Sequence, residues 1–220
     1  MQSARVTPSY IRARACAKVL AQINENMESS LHIAVVVFGY FLGSIPFGLL
    51  AGKLFDVDVR NAGSGNIGAT NVARTVGKRI AILVLLLDAL KGAGAVLIAR
   101  QFCSSVWVPE LAGLTAVLGH CFPIWLRFRG GKGVATSLGV FLVLAPIVAV
   151  FAMFFWVLSY AIFKIASVGS ILCAIGFPLA MYKTGKPEET IAIATLIGAV
   201  IILRHWSNLL RLLGKSELRV

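Results

Sequence analysis

The chain has 220 residues, 58% of them hydrophobic and 14% charged, with 21 Lys and Arg against 9 Asp and Glu and a net charge of +12. With a mean hydropathy of +0.86, this composition excludes an ordinary soluble domain. The basic residues are scattered through short loops between apolar runs, which argues against nucleic acid as partner and for anionic lipid headgroups and inward-retained loops.

In chain order, residues 1–30 form a basic extension carrying Arg5, Arg12, Arg14 and Lys18, without the apolar core of a signal peptide. Met27 followed by Glu-Ser-Ser is a cleaner beginning. Residues 1–26 therefore read as an over-extended start or a dispensable amphipathic tail, with a functional arm as the other reading. Residues 31–203 are the transmembrane domain, and 204–220 a cytoplasmic tail. A helix needs ~17–25 residues to cross a ~30 Å core. Spans are expected at 31–54, 79–99 and 105–126, then three within 134–182, and a short one at 191–203. The breaks in the middle stretch fall at Ala145-Pro146 and around residues 164–170.

The fold class is thus all-α: a polytopic membrane protein of about seven spans, with short re-entrant or interfacial half-helices on the cytoplasmic side. With the N-terminus outside, Lys53, Arg60, Arg74, Lys78, Arg79, Arg127, Arg129, Lys132, Lys164, Arg204, Arg211, Lys215 and Arg219 all fall inside. The outer loops keep only Arg100, Lys183 and Lys186, and this asymmetry sets the orientation. The four cysteines, Cys16, Cys103, Cys121 and Cys173, have neither CxxC spacing nor matching His clusters. They read as free thiols, with no metal site.

The second span holds Asp88 and Lys91. Its strong aliphatics contribute roughly −5 kcal/mol to insertion, while two central charges cost roughly +5 to +7 kcal/mol. The charges must pair at their i,i+3 spacing or face the interior. They are either a structural pair or a support for the cytoplasmic site.

Three polar patches rich in Gly, Asn and basic residues punctuate the apolar runs, and all three fall on the inner side. Gly63-Ser-Gly-Asn-Ile-Gly68 matches G-x-G-x-x-G, but no strand precedes it and Asp88 lies inside a span, so a dinucleotide fold is excluded. What remains is a glycine loop opening a short helix at 66–75, read as an anion site or a plain turn. Arg129-Gly-Gly-Lys-Gly133 lacks the spacing of a Walker A loop. Its glycines let a ligand approach the backbone, and Lys132 opens a helix whose dipole favours anions. Arg204, Asn208 and Arg211 share a helix face at i, i+4, i+7, with His205 beside Asn208; interfacial anchoring is the competing reading. No Ser-His-Asp set, HxxxxD pair or paired carboxylates appear. Chemistry here has to rest on binding, orientation and an activated substrate.

Gly43-Ser-Ile-Pro-Phe-Gly48 with Lys53, Gly63-Ser-Gly-Asn-Ile-Gly-Ala-Thr-Asn71 with Arg74, Leu87-Asp-Ala-Leu-Lys-Gly92, Gly119-His-Cys-Phe-Pro123 with Gly130-Gly-Lys-Gly-Val-Ala-Thr136, and His205-x-x-Asn208-x-x-Arg211 occur in that order. Together they resemble the bacterial acyl-phosphate:glycerol-3-phosphate acyltransferases, over roughly residues 38–217. The resemblance implies a seven-helix inner-membrane enzyme with its active site facing the cytoplasm. Its substrates would be glycerol 3-phosphate and acyl phosphate, in contact with membrane lipid and with no cofactor. It would acylate the 1-hydroxyl in the first step of phospholipid synthesis. Carried over position by position, it implies Arg74, Lys132, His205 and Asn208 as catalytic. Ser64, Gly65, Asn66, Asn71, Gly130, Gly131, Ser170 and Arg211 would bind substrate, with Ser167 one turn from Ser170. The tail departs from the family pattern: Gly214-Lys-Ser-Glu217 is one residue longer between Gly and Glu, and Trp206-Ser207 replaces residues that are commonly charged. The base is either His205 or a substrate phosphate oxygen acting with Asn208 as positioner. A transporter or flippase for a phosphorylated metabolite is the alternative function, although no internal repeat supports it.

Overall fold

In a computed structural model, residues 8–214 and 216–217 are described, and they form ten α-helices and one 3₁₀ turn with no strand. The helices are α1 (Pro8–Gly43), α2 (Phe47–Lys53), α3 (Ala69–Thr75), α4 (Lys78–Phe102), α5 (Trp107–Cys121), α6 (Val134–Leu144), α7 (Pro146–Phe163), α8 (Ala166–Lys183), α9 (Glu188–Arg204) and α10 (Trp206–Leu213). Four segments are long and apolar enough to cross a membrane: Gln22–Lys53, α4, α7 and α8. α5 has 15 residues, α9 has 17 and α6 has 11.

Several boundaries depart from the sequence reading. The stretch 31–54 is interrupted at Ser44–Pro46, because proline lacks an N–H and drives the residue before it out of helical geometry. The carbonyl released at Ile45 is taken by Lys91 Nζ, at 2.9 Å. The short helix of the glycine loop begins at Ala69, not 66, and α6 begins at Val134, after Gly133 adopts a left-handed φ of 85°. The expected break at Ala145-Pro146 separates α6 from α7, with proline in the first helical turn. The tail is not one continuous helix: α9 and α10 meet at His205 with a 54° bend. There the Ile201 carbonyl faces both the His205 backbone N–H, at 3.0 Å, and its imidazole Nδ1, at 2.8 Å. A side chain competing for a backbone carbonyl is a recurrent cause of helix distortion.

Helix pairs α1–α5 and α4–α6 pack closely, and small residues make this possible. A Cβ on Gly92 would lie 2.1 Å from the Thr136 carbonyl oxygen, and one on Gly139 only 1.8 Å from that of Ala89. The main core, which includes Val96, Val117, Val140, Phe141, Met181, Ile193 and Ile197, fills the space among α4–α9. A second cluster of Leu49, Val59, Ile67, Val72 and Val84 seats α2 and α3 against α4. Phe151, Phe154, Phe155 and Ile162 of α7 point outward and exposed, as a lipid-facing helix requires.

The Asp88–Lys91 problem is solved internally. Both side chains are almost fully buried, 2.8 Å apart, and His120 Nδ1 of α5 lies 3.4 Å from Asp88. Lys91 thereby ties the break after α1 to α4, while Asp88 and His120 reach a cavity at the polar end of the bundle.

Candidate active site

The first wall of the site is the 60–71 loop, organised by Asn71. Its buried amide donates to the carbonyls of Val59, Ala62 and Asn66 at 2.8–3.0 Å, and its oxygen accepts the Ser64 N–H at 2.8 Å. Gly63 and Gly65 take positive φ values of 60° and 71°, which glycine adopts without steric cost. Asn66 then accepts the Gly68 N–H at 2.9 Å, just before α3. Asn71 therefore shapes the loop, and it lines the cavity together with Ser64, Asn66 and Arg74. Arg60 is turned away and paired with Asp58 at 2.6 Å.

The second wall is the glycine loop after α5, where the sequence leaves the backbone open to a ligand. Instead Gly130 N–H donates to Cys121 and Gly131 N–H to His120, at 3.1 and 3.0 Å. Their carbonyls accept the Arg204 guanidinium at 2.8 and 3.0 Å. The glycines are needed for close packing: a Cβ on Gly131 would stand 2.0 Å from His120 Nε2. Arg204, expected on a shared face with Asn208 and Arg211, is the clamp that fixes this loop. The loop in turn presents Lys132.

The third wall is α10 and the tail. Lys132 Nζ donates to Asn208 Oδ1, the Asn208 amide donates to Glu217 Oε1, and Arg211 Nε donates to Glu217 Oε2 at 2.7 Å. Ser167 donates to the same Glu217 carboxylate at 3.0 Å. Ser170 lies one turn deeper, accepting from Trp156 Nε1 and donating to the Ala166 carbonyl, both at 3.0 Å. Both serines line the cavity, but only Ser167 is wired to the tail. Glu217 as a hub, Ser167 as its partner and Trp156 beside Ser170 were not legible in the sequence. Their pairings span 6–50 residues, and Glu217 stands one place away from its expected spacing.

Charge states follow from these surroundings. Burial pushes the Lys132 ammonium down to about 8, with Arg211, Arg74 and Arg204 adding to the effect and Glu217 opposing it. At neutral pH it is still mainly a cation. His205, just beyond α9, is pushed down to about 4 by burial and by Lys132, so it is neutral. With its Nδ1 on a carbonyl, the proton sits there and Nε2 is the free acceptor. Burial works against ionisation of Glu217, but hydrogen bonds from Asn208, Arg211 and Ser167 outweigh it and hold the carboxyl below its ordinary range.

The space enclosed has two parts. A cavity of about 340 Å³ has a polar mouth at Ser64, Arg74, Lys132, Asn208 and Arg211, and an apolar shaft running between α6, α7, α8 and α9. A second pocket of about 410 Å³, lined by Gly65, Arg129, Gly130, Trp206 and Ser207, shares Ser64, Asn66, Lys132 and Arg211 with that mouth. A shaft for hydrocarbon and a cationic pocket for a polar anion thus meet at Lys132.

The model of a protein family described as glycerol-3-phosphate acyltransferase matches residues 33–215. The chain belongs to this family. A glycerol-3-phosphate acyltransferase of Trichlorobacter lovleyi is 47% identical over 81% of this chain and 92% of its own. That of Aquifex aeolicus is 45% identical over 84% and 97%. Among solved structures, the glycerol 3-phosphate form of PlsY (YgiH), an integral membrane glycerol 3-phosphate acyltransferase, superimposes with a TM-score of 0.82. It is 44% identical and covers 86% of this chain and 95% of PlsY. Its lysophosphatidic acid form gives 0.80 at 43% identity. With its apolar helices, the chain is a multi-pass membrane acyltransferase.

Proposed function

We propose that the protein moves a fatty acyl group from acyl phosphate to the 1-hydroxyl of glycerol 3-phosphate, giving 1-acyl-glycerol 3-phosphate and inorganic phosphate. The observation that carries this reading is the meeting of the apolar shaft and the cationic pocket at Lys132. The acyl chain occupies the shaft and its phosphate the mouth, while glycerol 3-phosphate enters the adjoining pocket. An acyl phosphate is a mixed anhydride and needs no activation by a protein nucleophile. The acceptor oxygen attacks the carbonyl carbon, the tetrahedral intermediate collapses, and the carbon–oxygen bond to phosphate breaks. Lys132, Arg74 and Arg211 neutralise the departing charge, the contribution that dominates such steps. The hydroxyl proton leaves with phosphate. Incubating purified protein with palmitoyl phosphate and labelled glycerol 3-phosphate should give labelled product, and palmitoyl-CoA should give none. Equal transfer from the CoA ester would overturn the donor assignment.

The site lies at the inner face of a seven-span protein in a bacterial inner membrane, with α1 and α4–α9 as the spans. The concentration of Lys and Arg in the loops that form the site supports this orientation. Arg60→Cys, Arg129→Cys and Ser216→Cys, all at exposed positions, should resist an impermeant maleimide added to intact cells, while Lys183→Cys on the opposite side should label. Full labelling of any of the first three would refute the seven-span topology.

A further inference from the structure

The apolar shaft has a floor. Its deepest lining residues are Phe141 on α6, Ala149 on α7, Phe177 on α8 and Ala194 on α9. Beyond them Val148, Met181 and Ile193 are buried in the core and line no part of the cavity. The Phe141 and Phe177 rings touch, with centroids 4.5 Å apart and planes inclined at 41°. Phe141 is almost fully buried, so the pair is held from below by the core and cannot swing away freely.

The depth of the shaft can be read from the helices. From Gly133 to Phe141, and from Val157 to Ala149, is eight residues; from Ser167 to Phe177 is ten, and from His205 to Ala194 eleven. At 1.5 Å of rise per residue the floor lies about 12–16 Å below the mouth. A staggered hydrocarbon chain built from ~1.5 Å bonds advances roughly 1.3 Å per carbon, so the shaft holds roughly 9–12 carbons. The upper half is open on one side, since Met153 and Val157 line the cavity and are 45% and 53% exposed. A longer chain must turn out through that opening. Because lipid tails are as apolar as the shaft, transfer out of the bilayer does not by itself favour any chain length. Discrimination has to come from contact with the floor, through a void left by a short chain or overpacking by a long one.

We propose that the Phe141–Phe177 pair is a chain-length stop for the acyl donor, with Ala149 and Ala194 completing the surface that the chain end meets. The inference rests on the donor and acceptor reading given above. The test is a competition: purified protein receives an equimolar mixture of decanoyl, lauroyl, palmitoyl and stearoyl phosphate with glycerol 3-phosphate, and products are resolved by mass. Phe177→Ala deepens the shaft and is expected to move the stearoyl-to-lauroyl product ratio upward, on the order of tenfold. Ala194→Leu and Ala149→Leu raise the floor and are expected to move that ratio downward. If Phe177→Ala does not fold, the two leucine variants decide. An unchanged ratio in active variants overturns the chain-length stop alone. Failure of the unsubstituted protein to transfer from any of the four donors overturns the donor reading, and the stop with it.

Discussion

Replacing Lys132 by alanine is expected to lower turnover about 10²–10³-fold while the protein still inserts and purifies. Lys132 is the only residue of the glycine loop that reaches Asn208, and it stands where the shaft and the cationic pocket join. In the proposed reaction, removing its ammonium takes away one of the cations that meet the leaving phosphate and leaves Glu217, held through Asn208, without that counter-charge. Arg74 and Arg211 remain to neutralise the departing charge, so transition-state stabilisation is weakened. Its depressed pKa of about 8 gives the effect a pH signature. The cation is present below that value and lost above it, so kcat/KM of the free enzyme should fall as pH rises through about 8. Lys132→Arg keeps the charge at higher pH and should move that descending limb upward, even if its larger head lowers the maximum. A variant lacking Lys132 that is well folded and turns over normally would remove the residue from the catalytic set.

Much of this architecture is visible in the sequence because its causes are local. Apolar runs between polar patches mark the helices, and Ala145-Pro146 marks a break that proline geometry enforces. Ser44-Ile-Pro46 carries the same signal, but hydropathy runs uninterrupted through Phe47-Gly-Leu-Leu50 and conceals the interruption. Asp88 and Lys91 announce themselves as a pair by cost alone, yet nothing local indicates that Lys91 also holds the Ile45 carbonyl or that His120 joins them. Gly130 and Gly131 correctly signal a close approach to the backbone. What approaches is His120, from a helix that ends ten residues earlier, and spacing cannot tell a packed imidazole from a bound phosphate. The bend at His205 arises from competition for one carbonyl and leaves no Pro or Gly as a mark. Glu217 acquires its place by meeting Ser167, Asn208 and Arg211 in space. That convergence depends on how α8 and α10 come together.

The identity of the base is open to a sharper test than the sequence allowed. An unperturbed imidazole titrates near ~6.5, close to the second ionisation of phosphate near ~6, so the two would overlap in a pH profile. In the folded protein His205 is pushed down to about 4, and the overlap disappears. A group with so low a pKa is a poor proton acceptor at neutral pH, whereas a substrate phosphate dianion is matched to the task. The Nδ1 contact with Ile201 and the burial of the ring suit a residue that fixes the bend between α9 and α10, and so the height of Asn208. With both substrates saturating, His205→Ala is expected to cost less than about tenfold in kcat, and Asn208→Ala on the order of 10²-fold or more. Asn208 bridges Lys132 and Glu217, and its loss separates the cation from the tail. The acid limb of kcat should fall near ~6, follow the substrate phosphate, and persist in His205→Ala and His205→Gln. An acid limb near 4 that vanishes with either substitution, or a His205 variant that binds both substrates normally yet performs no chemistry, would instead make the imidazole the base.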